Sequence, residues 1–334
     1  MSHDVAIIGA GLIGTKRAAA LSAFNDFRLK VVADVNPTAA DKLAEQFGAE
    51  SAVDWRAVID RPDVDFVVVS TVNNVLAQIT IAALQSGKHV LCEKPLGRNV
   101  DESSSILEHA QNGVVLKTGF NHRHHPAIAK AKHLADIGEI GRILFLRCRY
   151  GHGGRPGYEK EWRASKDLCG GGELLDQGVH VADLFRWFAG DFDYAFGYTP
   201  TCFWNMEVED NAFAMFKNNA GVVATMHTSW TQWKNLFSFE VFGDLGYLIV
   251  EGLGGSYGVE TLKIGKRNPK GGHPDEKIEQ FSGPDVSWQL EWAEFTQAIR
   301  QKRQPIGNGF DGHQANKMID AVRRSAQTSK PAKI

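Results

Sequence analysis

The chain has 334 residues, 43% hydrophobic and 23% charged, with a formal net charge of −2. That length accommodates two ordinary domains, and a near-neutral balance without long runs of one sign argues against a nucleic-acid partner or a membrane surface. No apolar run reaches the ~18 residues of a bilayer span, Asp4 leads at once into the first motif so that no signal peptide is expected, and the four cysteines (Cys92, Cys148, Cys169, Cys202) form no CxxC pair, which suits a reducing cytoplasm.

The apolar run Val5–Ile8 reads as a strand and is followed by Gly9-Ala10-Gly11-Leu12-Ile13-Gly14, with a helical stretch over Leu12–Phe24. A second β-like run, Leu29–Ala33, ends in Asp34, 20 residues beyond Gly14. Strand, glycine turn, helix, strand and acid in this order form the arrangement that binds a dinucleotide. Gly9 permits the tight turn, Gly11 admits a pyrophosphate to the backbone, and Gly14 lets the helix pack on the strand. The helix start, at Leu12 and Ile13, offers N–H groups and a positive dipole end to the phosphates. The Asp34 carboxylate accepts hydrogen bonds from adenosine ribose hydroxyls and repels a 2′-phosphate. Val35-Asn36-Pro37-Thr38 supplies no arginine to hold one, so NAD is expected over NADP.

Strand and helix signals continue to alternate. Phe66–Ser70 is an apolar, β-branched run buried on both faces, with Thr71 just beyond it. Val75–Ser86 reads as a helix closed by Gly87, His89–Cys92 as a strand, Val100–Gln111 as a helix stopped by Asn112-Gly113, and Val114–Thr118 as a strand. Residues 1–120 are therefore expected to form a parallel α/β domain. Past Gly119 the character changes. A helix over Pro126–Ile137 leads to a long strand, Ile143–Tyr150, a glycine-rich loop, Gly151–Gly157, and a helix over Glu173–Ala189. Then come β-like runs without intervening helices (Ala212–Lys217, Val222–His227, Phe237–Phe242, Tyr247–Val250) and two final helices, Trp288–Arg303 and Gly312–Ser325. Residues 121–334 are expected to form a substrate-binding and oligomerisation domain with an open, largely antiparallel or mixed sheet, read as a meander. The last helix is a candidate to pack back on the first domain.

Two further segments carry chemistry. In Cys92-Glu93-Lys94-Pro95, a lysine emerges at the carboxyl end of a parallel strand, where open α/β sheets bind ligands. The bond into Pro95 is a candidate for cis geometry. A Lys94 ammonium can hold a substrate oxygen and stabilise alkoxide character as hydride leaves. In Glu173-Leu174-Leu175-Asp176-Gln177-Gly178-Val179-His180-Val181-Ala182-Asp183, one continuous helix would place Asp176, His180 and Asp183 on one face. Histidine is the acid/base suited to neutral pH, and a carboxylate one turn away can orient it. Thr71 and Glu93 complete the expected cofactor-binding set of Gly9, Gly11, Leu12, Ile13, Gly14, Asp34 and Lys94.

Three motifs together, GAGLIG, EKP and GGGELLDQGVHVADLFRWF, resemble the glucose–fructose oxidoreductase/inositol dehydrogenase/rhizopine-catabolism (Gfo/Idh/MocA) family, strongly over residues 1–190. The resemblance implies a Rossmann domain followed by an α+β domain, a nicotinamide cofactor, and a sugar or cyclitol substrate. It also implies that Lys94 matches the lysine of the family's EKP motif, while Asp176 and His180 match its DxxxH pattern. The implied reaction has a secondary alcohol directed at His180 and Lys94, with His180 taking the hydroxyl proton as hydride leaves.

Asn121-His122-Arg123-His124-His125-Pro126 holds three histidines whose spacing does not place three ligands on one face, so no metal is expected. Arg123 is expected in the substrate cleft. Tyr150, His152 and Arg155, with Trp162 and Arg163, enclose a polar loop suited to hydroxyl-rich or anionic ligands. Trp230–Asn235 offers a surface that could stack on a sugar ring. Arg155, Arg163 and Lys234 hint at an acidic or phosphorylated sugar. The alternatives are a nucleotide-sugar dehydrogenase of glycan biosynthesis and a non-catalytic NAD-binding regulator. Intact Lys94, Asp176 and His180 argue against the regulator. A homodimer or homotetramer is expected, because an open sheet leaves a face to be covered.

Overall fold

Apolar β-branched runs alternate with helices from the start of the chain, and they assemble as a parallel sheet. In the computed structural model, which describes residues 3–110 and 113–334, this part runs β1 (His3–Ile8), α1 (Leu12–Leu21), β2 (Phe27–Ala33), α2 (Pro37–Phe47), β3 (Glu50–Ala52), α3 (Trp55–Ile59), β4 (Phe66–Val69), α4 (Asn73–Gln85), β5 (His89–Cys92), α5 (Val100–His109) and β6 (Leu116–Thr118). The six strands lie in the order β3-β2-β1-β4-β5-β6 and every pairing is parallel. This is the dinucleotide-binding order, and its reversal point lies between β1 and β4, where ligands bind at the strand carboxyl ends. All four residues of β4 are buried, as a strand covered by helices on both faces requires. One apolar cluster gathers around Val67, Leu76, Ile79 and Ile106, another around Val5, Ile7, Val32, Leu91 and Phe295. Phe295 comes from a late segment: Asp167–Cys169 and Trp288–His313 belong to this unit.

The second unit takes in His122–Lys166, Gly170–Ser287 and Gln314–Ile334. From residue 126 the chain runs α6 (Pro126–Asp136), β7 (Ile143–Gly151), the short turns α7 (Lys166–Cys169) and α8 (Glu173–Asp176), α9 (Gly178–Ala189), β8 (Tyr194–Tyr198), β9 (Asn211–Lys217), β10 (Val223–Ser229), β11 (Leu236–Gly243), β12 (Gly246–Glu251), β13 (Glu260–Lys266), β14 (Asp275–Phe281), α10 (Ser287–Arg300), α11 (Gly309–Thr328) and β15 (Ala332–Lys333), with α7, α10 and the start of α11 falling mainly in the first unit. Nine strands lie in the order β14-β13-β12-β11-β7-β10-β9-β8-β15. The expected meander is corrected here. β7 sits between β10 and β11 and pairs parallel with β10, Val223 opposite Phe145, while β11 runs antiparallel on its other edge. The long strand is thus the spine of the sheet. Helix α9 lies against β7 and β10 and buries Val179, Val181, Leu184 and Phe185 completely. The alternating pattern of β9 instead leaves Phe213 and Met215 44% and 46% exposed.

Several boundaries differ from the sequence reading. Helix α1 stops at Leu21, where the Ser22 N–H closes on Ala18, rather than at Phe24. The expected helix over Glu173–Ala189 is two helices, α8 and α9, joined at Gln177. A side chain on Gly178 would lie 3.2 Å from Leu174 and 3.4 Å from Met226. The glycine lets the chain pass close to the sheet and tolerate the break, whose next hydrogen bond runs from His180 N–H to the Gln177 carbonyl. The final residue of the expected Val100–Gln111 helix, and Asn112 of its stop signal, lie outside the described residues. No described helix is long and apolar enough to cross a membrane.

Candidate active site

The glycine turn follows β1 directly. Gly9 has φ +103°, and a Cβ there would lie 2.5 Å from the Ser70 carbonyl oxygen. A Cβ on Gly14 would sit 1.9 Å from the Gly9 carbonyl oxygen, whereas one on Gly11 would meet nothing within 4 Å. Gly9 and Gly14 therefore hold the backbone tight, and Gly11 leaves an open approach. Gly11 caps α1 without any side-chain hydrogen bond, and the first turn contains no acidic residue. The opening N–H groups and the positive dipole end of α1 fit an anionic pyrophosphate. Asp34 accepts from Ala10 N–H at 2.7 Å and from Asn36 N–H at 2.8 Å, tying the end of β2 to the turn. Leu12, at the start of α1, is 74% exposed and Val35, next after Asp34, is 83% exposed; bare apolar side chains of this kind suit the faces of an adenosine. These residues fit a bound dinucleotide. Thr71 follows β4, its hydroxyl donating to the Val72 carbonyl.

Glu93 is buried one step past β5 and is held by Arg17 of α1: Arg17 Nε lies 2.7 Å from Glu93 Oε1. Arg17 also donates to Glu291 of α10 at 2.6 Å, and Lys117 of β6 lies 3.5 Å from the other Glu291 oxygen. Sequence reasoning missed this network because Arg17 and Glu291 stand 274 residues apart. Gly119 belongs to it, since a Cβ would lie 2.8 Å from Glu93 and 2.9 Å from Arg17. Lys94 follows Glu93, half-buried, and its bond to Pro95 is cis.

In the second unit, His180 of α9 is buried and its ring stacks on His122, centroids 3.7 Å apart with 21° between planes. The Tyr150 ring from β7 meets His122 edge-on at 5.3 Å. Burial, followed by its contact with Tyr257, holds the Tyr150 hydroxyl well above its usual range, and Tyr257 is pushed up to about 12 chiefly by burial. Both phenols are therefore protonated near neutral pH. Gln177, at the helix break, donates to the Tyr257 hydroxyl at 3.0 Å. Asp176 pairs with Arg163 at 3.3 Å, and Arg163 stacks over Trp162 at 4.4 Å. Burial holds His152 below its ordinary value, and its Nδ1 accepts from Gly154 N–H at 2.9 Å, leaving Nε2 as the donor.

Other sequence candidates are placed differently. Arg123 forms a two-pronged, buried pair with Asp183, at 2.8 and 2.6 Å, so its guanidinium is engaged within the fold. Asp183 thus joins the turn Asn121–His124 to α9. Arg155 is largely exposed and pairs with Glu161 at 2.7 Å. His125 of the histidine-rich stretch lies 3.0 Å from Glu260. Trp233 is 63% exposed with φ +55°, against Phe203 at 4.8 Å. His122 and Tyr257 were not singled out from sequence. His122 stood in the histidine-rich stretch, but nothing local pointed it at His180.

Residues 3–120 match the oxidoreductase family model with an NAD-binding Rossmann fold, and residues 128–249 match the Gfo/Idh/MocA C-terminal domain model. The chain is similar to 1,5-anhydro-D-fructose reductase of Ensifer adhaerens, 31% identical over 85% of this chain and 84% of that one. It is also similar to myo-inositol 2-dehydrogenase of Thermotoga maritima, 26% identical over 99% and 98%. Levoglucosan dehydrogenase of Pseudarthrobacter phenanthrenivorans is 37% identical over 57% of this chain, a match spanning 52% of that protein's length. A levoglucosan dehydrogenase structure in complex with NADH superposes with TM-score 0.92 over 100% of this chain and 99% of that one, at 26% identity. The chain belongs to the Gfo/Idh/MocA family. Within it, this protein is an NAD-binding oxidoreductase with a Rossmann domain and a mixed-sheet second domain.

Proposed function

We propose that this protein oxidises, or in reverse forms, a secondary hydroxyl of a cyclic sugar or cyclitol, with His180 as the acid/base. The carrying observation is the buried imidazole of His180, set in a polar cluster of His122, Tyr150, Tyr257 and Gln177. Imidazole is the side chain able both to take and to return a proton near neutrality. NAD, when bound at the glycine turn, supplies the hydride acceptor or donor. The chain's own residues do the rest. His180 takes the hydroxyl proton at a ring nitrogen. Lys94 orients the substrate oxygen and offsets charge developing on it. Asp176, held by Arg163, accepts from neighbouring hydroxyls, while neutral His152, through its Nε2–H, and the two protonated tyrosines supply donors. Gln177 Oε1 and Thr228 Oγ1 are buried with no hydrogen-bond partner among the described residues, and a hydroxyl-rich ligand suits such a region. The relatives named for levoglucosan, anhydrofructose and inositol support this substrate class.

Arg123 acts as a structural tie rather than a substrate contact, given its closed pair with Asp183. The exposed face of the second sheet, carrying Tyr194, Tyr198, Phe213 and Met215, is covered by another copy of the chain in a homodimer or homotetramer. A reducing cytoplasm suits Cys92, Cys148 and Cys169, which are buried as thiols. His180→Ala tests the central role. NAD affinity stays within about twofold, and turnover falls by about a hundredfold or more. Unchanged turnover rules out His180 as the acid/base.

A further inference from the structure

The ring of His122 lies nearly parallel on that of His180 at 3.7 Å, and each residue is 5% exposed. Stacked rings direct their N–H groups sideways, so this contact is not a hydrogen bond between them; what couples them is charge. We propose that the two imidazoles form one titrating pair that holds a single proton, making His122 a positioning residue that sets the pH range in which His180 accepts the substrate proton. This rests on the reading of His180 as the acid/base.

Two positive rings at this separation, with little water between them, repel strongly, so a proton on either ring opposes one on the other. Several groups face the pair. Tyr150 faces His122 at 5.3 Å and stays protonated through burial and its bond to Tyr257. His125 approaches His122 at 5.7 Å and is engaged by Glu260 at 3.0 Å, with Asp285 at 4.0 Å. Phe237 of β11 meets His122 at 6.0 Å and carries no charge. Along the chain from His180, Asp176 is paired with Arg163 and Asp183 with Arg123. Glu173 acts on Tyr150 and Tyr257 through charge.

The consequence for oxidation follows directly. Accepting the substrate proton on His180 while His122 is charged would create the doubly charged stack, so the active form has both rings neutral. A proton on either ring therefore switches off oxidation. Replacing His122 with a flat ring that cannot titrate removes one of two places where that proton can sit. The acidic limb of kcat/KM for oxidation then moves to lower pH, by about 0.3 unit if the two sites bind equally and by more if His122 binds the proton tighter.

The decisive experiment is a nitrogen-15 titration of histidine-labelled full-length protein with NAD between pH 9 and 5, with His122→Phe and His180→Phe used to assign the two rings. In the unsubstituted protein the two rings together take up one proton over this range. Each remaining ring titrates alone in the variant lacking its neighbour, displaced from its position in the pair. Two full protonations in the unsubstituted protein, or titrations unmoved by loss of the neighbour, overturn the proposal. This readout needs no turnover, so its failure is distinct from failure of the oxidoreductase reading. The kinetic arm uses His122→Phe. A shifted acidic limb supports the pair, whereas a loss of kcat by the same factor at every pH assigns His122 to packing alone. His122→Gln serves in both arms if the phenylalanine variant does not fold.

Discussion

Arg17→Met breaks the buried network that holds Glu93, and its cost can be worked from the geometry. Arg17 bonds Glu93 and Glu291 at 2.5 to 2.7 Å, with side-chain exposures of 2%, 7% and 0% in that order. Methionine retains much of the aliphatic stem but leaves two buried carboxylates, of which Glu291 has Lys117 at 3.5 Å. Removing one partner of a buried ion pair costs about 3–5 kcal/mol. Loss of the guanidinium over Trp288, at 4.5 Å, adds about 0.5–1 kcal/mol. For a unit of this size, about 4 kcal/mol lowers Tm by about 8–16 °C. The pH dependence has a definite sign. Burial already pushes the Glu93 carboxyl upward, against the lowering influence of Arg17, so the variant's carboxyl climbs further. A carboxyl raised in the folded state binds a proton on folding, so its stabilisation is complete below its unfolded value and is lost as pH rises through its folded value. The deficit is therefore larger at pH 8 than at pH 5.5, read from thermal unfolding followed by circular dichroism. A deficit below about 1 kcal/mol at both pH values, or a larger one at pH 5.5, refutes the reasoning.

Gly14→Ala forces a methyl to within 1.9 Å of the Gly9 carbonyl oxygen, and NAD affinity by fluorescence titration falls at least tenfold or is lost; retained affinity contradicts the turn geometry. Asp34→Ala removes the bond to Ala10 N–H and the acid expected at the ribose, so affinity falls for NAD more than for NADP and the ratio of the two dissociation constants narrows. Asp183→Ala removes the carboxylate paired with the buried Arg123 guanidinium, lowering stability by about 3–5 kcal/mol in urea unfolding. Burial pushes the Cys92 and Cys148 thiols well up and also encloses Cys169, so a thiol reagent at pH 8 modifies Cys202 alone in the native protein and all four cysteines after denaturation.

The first unit was the more legible because its chemistry is local. Gly9, Gly11, Gly14 and Asp34 announce a turn and its acid within a few tens of residues, and β4 reads as a doubly buried strand from composition alone. The second unit depends on distant partners. The insertion of β7 between β10 and β11 leaves no trace in the order of β-like runs. The break at Gln177 lies beside Gly178, which passes close to Met226, far along the chain. His122 likewise looked like one member of a histidine run, and its position against His180 comes from folding α9 onto the turn Asn121–His124. Asp176 and His180 were read as neighbours on one helix face, and they instead flank the junction of two helices.

The most direct test of the central claim is NADH fluorescence after mixing the protein and NAD with levoglucosan, free inositols, hexoses, uronates and nucleotide sugars, alongside His180→Ala. The account predicts NADH formation with at least one free cyclic sugar or cyclitol, and its loss in the variant while NAD still binds. Silence across the free polyols despite bound NAD, or a signal confined to nucleotide sugars, would contradict it.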